Sequence, residues 1–374
     1  MKFTINKNDI KDVLSRVQGI TGRKSTLAIT ANVLIKSTEK GISIAATDLE
    51  TGFEGFYPAQ IEREGVIAIN ARKLFEIVNQ FPSEEISFSE NENRWIKISH
   101  KKNVEFQIVG MDHDDFPLIP QIDEVSFIEI ESALLKDMIE KIIIIGHDPE
   151  DKRSHVMGAG FYILDEKDIK VIRMVSTDSK RLSKVDQVVN DRSIFTLPDG
   201  VIIPKKGLAE VSKFLDLQGI VKIGVKDNHF ILKKENETII ISLLEGDFPD
   251  CSDIFTFDDE YKAIEMEKEL FLKMLKRMAI LYSDTYKNVI FYFNQDSLLI
   301  VSSNPELGES KEDILINYYG KPFKSAFNPK YFMDTLNVID GETILLNILD
   351  EENPCFIQGK DDSRYLSVIM PMKM

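Results

Sequence analysis

KVIRMVSTDSKRLS, residues 170–183, reads as a short strand that runs into a polar pair, Thr177-Asp178. Two other stretches read the same way: ISIAATDLETG (42–52), with Thr47-Asp48, and LLIVSSNPELGE (298–309), with Ser303-Asn304. The pairs stand 130 and 126 residues apart. A second landmark keeps nearly the same interval. VIAINARKLFEIVNQF (66–81), VIIPKKGLAEVSKFL (201–215) and SAFNPKYFMDTLNVI (325–339) align on Asn70, Pro204 and Asn328, at spacings of 134 and 124. Self-similarity at a fixed interval marks a repeated structural unit. Two landmarks that agree divide the 374 residues into thirds.

Each third opens on a helical stripe. Ile10, Val13, Leu14 and Val17 follow the i, i+3, i+4, i+7 spacing, as do Leu135, Met138, Ile139 and Ile142, and Phe271, Met274, Leu275 and Met278. The second landmark supplies three shorter helices, marked by Leu74 with Val78, Leu208 with Val211 and Leu215, and Phe332 with Leu336 and Ile339. Between helices the chain reads as strands, for example 86–89, 103–109, 289–294 and 343–349. Proline-bearing Asp-Phe-Pro segments at DDFPLIPQIDEV (114–125) and EGDFPDCSDIF (245–255) interrupt the pattern and mark boundaries. The reading is α+β, with three similar domains at 1–124, 125–253 and 254–374.

Composition narrows the class. An apolar content of 43% is enough for a sizeable core, and no apolar run approaches the length of a membrane span. MKFTINKNDIKDVL at the start has no signal-peptide apolar region, so the expected compartment is the cytoplasm. Cys251 and Cys355 form no CxxC pair and fit a reducing environment. The net charge of −16 argues against a simple basic nucleic-acid binder. The charge is nevertheless uneven. The six expected helices carry fifteen basic and nine acidic residues, a surplus of six, which leaves −22 on everything else. Solvated helix faces often carry lysines, but here the surplus recurs along the repeats. Basic helices inside an acidic exterior would attract phosphate by charge alone, without reading bases.

Catalytic patterns are missing. There is no HExxH, no GxSxG, no P-loop and no GxGxxG after a strand. MDHDDFP (111–117) gathers Asp112, His113, Asp114 and Asp115, a conceivable divalent-metal set for a hydrolase. Adjacent residues of one loop rarely converge on one ion, and a polar turn before proline reads better. No metal, cofactor or enzymatic activity is expected.

Taken together, the three-fold pattern with TDLE (47–50), STDSKRLS (176–183), IPKKG (203–207), LLEGDFPD (243–250), SSNPE (302–306) and VIMPMKM (368–374) resembles the bacterial replicative sliding clamp, the β subunit of DNA polymerase III. The resemblance spans the whole chain in order. It implies the DNA clamp fold: a ring-shaped head-to-tail homodimer, helices lining a central hole and antiparallel sheets outside. It implies a noncatalytic processivity factor that encircles duplex DNA, slides without sequence specificity and tethers the polymerase during replication. A three-domain interaction scaffold that does not encircle DNA is the alternative.

The resemblance also implies partners and sites. A clamp loader, the replicative polymerase's catalytic subunit, other polymerases and repair proteins would dock through short linear motifs. Their cleft would involve Val156, Thr177, Ser179, Arg181, Leu182, Pro249, Ile254, Tyr331, Met370, Pro371 and Met372. Methionines suit a surface that repacks around several partners. DNA contacts would come from Arg23, Lys24, Arg153, Lys205 and Lys206, and the dimer interface from Phe106 against Ile280 and Leu281. The chain departs from the family pattern at Ser179-Lys180, where Gly-His is common, at Cys251, where an aromatic often follows Phe-Pro-Asp, at Asp253, and at the Lys373-Met374 ending.

Overall fold

The computed structural model describes residues 1–22, 27–100, 104–120, 122–146, 151–166, 169–189, 196–256, 260–283 and 288–373. Compactness divides the chain into two units, one built on residues 1–136 and 206–243, the other on 137–189, 196–205 and 244–373. Among the described residues six helices of ten to twelve residues stand at the expected places: Lys7–Arg16, Ala71–Gln80, Ser132–Ile143, Lys205–Phe214, Lys268–Met278 and Pro329–Val338. The apolar stripes read from the sequence are buried, from Ile10, Val13 and Leu14 to Phe332 and Leu336. None of these helices is long and apolar enough to cross a membrane.

The second landmark has a physical basis, because its aligned residues are helix starts. Asn70 accepts a hydrogen bond from the Lys73 amide (2.9 Å), and Asn328 accepts one from the Lys330 amide (3.0 Å) with Pro329 in the first turn. Such caps satisfy amide groups that a helix leaves unpaired. Pro204 holds the same place before Lys205 in the middle repeat.

The first unit contains two antiparallel sheets. One is five-stranded, ordered Gln60–Arg63, Lys2–Asn6, Glu85–Glu90, Trp95–His100 and Val104–Val109. The other has eight strands: Ile128–Glu131, Ile220–Lys226, His229–Lys234 and Glu237–Ser242 of the second repeat, then Thr51–Tyr57, Gly41–Thr47, Asn32–Thr38 and Gly65–Asn70 of the first. The seam pairs Ile239 with Phe53 and Ile241 with Thr51.

The second unit repeats the scheme. Its eight-stranded sheet runs Leu197–Pro204, Gly158–Glu166, Ile169–Thr177 and Arg181–Val189, then Asp362–Ile369, Cys355–Gly359, Thr343–Ile348 and Lys262–Glu267. Here the seam pairs Arg181 with Ile369 and Ser183 with Ser367. A four-stranded sheet of Gly308–Leu315, Ser297–Asn304, Val289–Asn294 and Phe323–Phe327 completes it. Each large sheet is thus shared by two repeats, and each smaller one belongs to a single repeat.

The repeats also end alike. Bridges join Ala68 to Met111, Ile202 to Leu244 and Ala326 to Met372. Two residues earlier, the Ser242 amide donates to the Glu50 carbonyl (2.8 Å) and the Met370 amide to the Lys180 carbonyl (3.0 Å). Met370 to Met372 is therefore the third version of a segment that in the earlier repeats leads into the Asp-Phe-Pro connections. It is pinned by its backbone on both sides rather than frayed.

Asn70→Ala and Asn328→Ala each remove a cap, at a cost of about 1 kcal/mol. Each variant is expected to lower the urea midpoint, and equal lowering would show that the two repeats use the landmark in the same way.

Candidate functional site

The residues expected to form the partner cleft all lie in the second unit. They are organised by the turn between Ile169–Thr177 and Arg181–Val189. Thr177 Oγ1 accepts from the Ser179 amide (3.0 Å) and donates to the Arg181 carbonyl (2.8 Å), while Asp178 Oδ1 accepts from the Lys180 and Arg181 amides (3.0 Å each). Side chains that bond backbone amides two and three residues ahead set a tight turn. Ser179 takes the positive φ this turn needs, +69°, in place of a glycine. The first repeat builds the same turn: Thr47 accepts from Leu49, and Asp48 accepts from Glu50 and Thr51, with Leu49 at φ +79°. The Thr-Asp landmark is a hairpin device.

Arg181 then reaches inward. It is 7% exposed, bonds Asp178 through Nε (3.0 Å) and Asp334 (2.8 Å), donates to the Ile144 carbonyl (3.3 Å), and lies 4.3 Å over the Tyr331 ring. A buried guanidinium survives only when its donors are satisfied and its charge is matched; two carboxylates and an aromatic face do both here. Burial, and next the Asp178 charge, push the Tyr331 hydroxyl above its ordinary pKa.

Leu182 pairs with Thr177 across the turn and packs with Val175, Cys251, Phe356, Leu366 and Val368, against Phe248 and Phe255. Pro249 and Ile254 are exposed: Pro249 lines a cavity of about 410 Å3 together with Tyr162, Arg173, Phe248, Cys251 and Phe255, and the Ile254 amide donates to the Cys251 carbonyl (2.9 Å). Cys251 turns its thiol to the Pro249 carbonyl (3.3 Å), and burial raises its pKa. The tail supplies Met370 and Met372, 43% and 37% exposed, with Pro371 between them. Val156, Arg181 and Leu182 are buried and form supporting structure; Ser179, Pro249, Ile254, Met370 and Met372 present surface. Met374 lies outside the described residues.

The corresponding position in the first unit differs. Gly52 pairs with Thr47 as Leu182 pairs with Thr177. A Cβ on Gly52 would stand 3.0 Å from Ile119, so the connection occupies that space.

The expected DNA contacts fare unevenly. Arg23 and Lys24 lie outside the described residues. Arg153 is exposed but forked onto Asp151 (2.7–3.2 Å), whose carboxyl the hydrogen bonds from Arg153 draw down to about 2. Lys206 is half-exposed, with Nζ 3.2 Å from Glu50 and 3.7 Å from Asp48. Lys205 is a correction: it is 5% exposed, and its ammonium donates to the carbonyls of Val156 (2.7 Å) and Thr177 (3.2 Å). A side chain so enclosed offers no surface to a phosphate. Lys141, counted in the helical surplus, is likewise buried, bonded to Asp137 (2.8 Å) and Asp340 (2.9 Å).

At the expected dimer surfaces, Phe106 lies on Val104–Val109, an edge strand of the five-stranded sheet, and is half-exposed. Ile280 is 74% exposed on the 3-10 turn Ala279–Leu281, and Leu281 beside it is half-buried. Asp112, His113 and Asp114 do bring ligand atoms within 4.8 Å of one another. Asp112, however, is ion-paired to Arg94 and accepts the Asp114 amide (3.1 Å), as a polar turn does.

Family models for the DNA polymerase III beta subunit match almost the whole chain: the N-terminal domain over residues 1–120, the central domain over 129–250 and the C-terminal domain over 258–373. The beta sliding clamp of Bacillus subtilis is 28% identical over 389 residues, covering all of both chains, and that of Chlamydia pneumoniae is 26% identical over 375 residues, covering all of this chain and 99% of the relative. The crystal structure of the Bacillus subtilis clamp superposes with a TM-score of 0.91 at 26% identity, covering 100% of this chain and 99% of that one. A DNA polymerase III beta subunit structure from Eubacterium rectale gives 0.91 at 27%, with both chains covered in full. The fold is the three-domain clamp fold, and the class is the DNA polymerase processivity factor. The chain belongs to the DNA polymerase III beta subunit family, the bacterial sliding clamps.

Arg181→Met leaves Asp178 and Asp334 without their cation, and is expected to cost on the order of 2–3 kcal/mol in urea unfolding. For Lys205, burial pushes the ammonium down to about 8 from an ordinary 10.5. The unfolded chain then holds more protons between those values, so stability should rise as pH increases from 8 to 10.5, by about 3 kcal/mol. Lys205→Met is expected to flatten that rise in thermal melts.

Proposed function

We propose that two copies of this chain close head to tail into a ring around duplex DNA, and that the ring tethers partners without doing chemistry itself. One observation carries the reading. In each large sheet, the strand after the polar-pair turn of one repeat takes the last strand of the next: Thr51–Tyr57 takes Glu237–Ser242, and Arg181–Val189 takes Asp362–Ile369. Two strands of the same kinds end their sheets: Gly308–Leu315, after the turn of the third repeat, and Val104–Val109, the last of the first. Exposed sheet edges invite pairing with another chain. A heterologous contact of this kind closes when its rotation allows, and two chains of three repeats then give six domains, bounded at 1–124, 125–253 and 254–374. Phe106, Ile280 and Leu281 would form the apolar centre of each junction.

The helices would face the DNA, gripping it by weak, salt-screened charge. Among the residues that the resemblance implies, Arg153 and Lys206 present exposed cations for this, and Arg23 and Lys24 would join them. The Met370–Met372 tail, with Tyr331, Leu182, Pro249 and Ile254, would receive the linear motifs of the polymerase catalytic subunit, the clamp loader, other polymerases and repair proteins in the cytoplasm.

Light scattering over a dilution series should give twice the 42.7 kDa chain mass, and Ile280→Asp should shift the mass toward one chain. A wild-type monomer at every concentration would count against the ring. Lys206→Glu is expected to speed release from nicked circular DNA, more at low salt than at high. Deleting residues 371–374 should abolish binding of a motif peptide while dimerisation persists.

A further inference from the structure

Lys205 is a buried cation that the ring and its cleft leave without a role. Its two acceptors belong to different segments. Val156 sits on the short helix Ser154–Met157, and Thr177 ends the strand Ile169–Thr177 where the Asp178 turn begins. Among the described residues no carboxylate is ion-paired with Lys205, so the ammonium is held by backbone carbonyls. Asp178 and Arg181 are the charged groups that act on it, Asp178 favouring the charged form and Arg181 opposing it. A lysine placed this way is a costly fastener, and what it fastens is specific: two segments that meet at the cleft.

We propose that Lys205 is the positioning residue of the partner cleft, tying the Val156 segment to the Thr177 turn and so fixing the spacing that a docked peptide meets. This rests on the cleft reading above. The geometry behind it is direct. Thr177 sets the turn that carries Ser179 and aims Arg181 at Tyr331, and Val156 lies at the other end of the same tie. Lys205 bonds both segments with one side chain; without it they would be held by packing and by the backbone ladder that pairs Gly160 with Val175. Burial of the ammonium, with its pKa near 8, adds a signature. As pH rises through that value the strut loses its charge and becomes a weaker donor, so partner affinity should fall over the range in which overall stability rises. A residue that only stabilised the fold would move both in the same direction.

The test uses the full-length dimer and an N-acetylated, fluorescein-labelled peptide carrying the clamp-binding motif of the same organism's replicative polymerase, titrated by anisotropy. Lys205→Met is expected to weaken binding at pH 7 at least five-fold with no lower thermal midpoint. Wild-type affinity should fall severalfold between pH 7 and pH 9. Lys205→Arg, which keeps a cationic donor, should bind at pH 9 as it does at pH 7. Lys222→Met, at an exposed lysine of the first unit, should leave binding unchanged. Lys205→Met binding within two-fold of wild type would overturn the proposal. Should that variant unfold, a wild-type affinity that stays constant from pH 7 to pH 9 would overturn it equally. If the wild type fails to bind, or the variant lacking residues 371–374 binds as well as wild type, it is the cleft reading that falls.

Discussion

The pairing of one repeat's fourth strand with the next repeat's last strand is the constraint from which the architecture follows. Antiparallel ladders satisfy backbone groups only along matched edges, so a repeat that ends in open edges must find a neighbour. Within the chain this happens twice, at Ile241 with Thr51 and at Arg181 with Ile369. Every further feature is placed relative to those seams. Helices pack against the sheets, the connections cross at Ala68, Ile202 and Ala326, and Val104–Val109 and Gly308–Leu315 are left at sheet edges.

The second seam carries more than backbone. Arg181 is at once the first ladder residue of its strand, the counter-ion of Asp178 and Asp334, and the roof of Tyr331. Its equivalent in the first unit, Thr51, has no charge to place, and the neighbouring Gly52 makes room for Ile119. Similar turns thus yield a polar hub with an exposed methionine rim in one unit and a filled surface in the other. The same fold element becomes a candidate site or a piece of core according to two side chains.

Charge follows a similar logic. With the helix bounds found here, Glu267 precedes rather than joins Lys268–Met278, so the helical surplus is slightly larger than the sequence count. Much of that surplus is engaged. Arg16 bonds Glu237, Lys213 bonds Glu210, and Lys141 and Lys205 are buried. Cations paired in this way present a weaker and more diffuse field than their number suggests.

The sequence by itself determined the repeat, the helices and the turns. These depend on local chemistry: apolar spacing for the stripe from Ile10 to Val17, an asparagine before a helix at Asn70 and Asn328, and a Thr-Asp pair that bonds the amides ahead of it. The methionine tail was legible as a family mark, though not why it is fixed. That reason is tertiary, since the Met370 and Met372 amides find carbonyls at Lys180 and Ala326, about 190 and 46 residues away in sequence. Which lysine meets solvent was also settled only by the fold. Lys205 and Lys206 are neighbours of identical type, and no periodicity separates their roles. A helix turns about 100° between them, which puts one ammonium on the carbonyls of Val156 and Thr177 and the other beside Glu50.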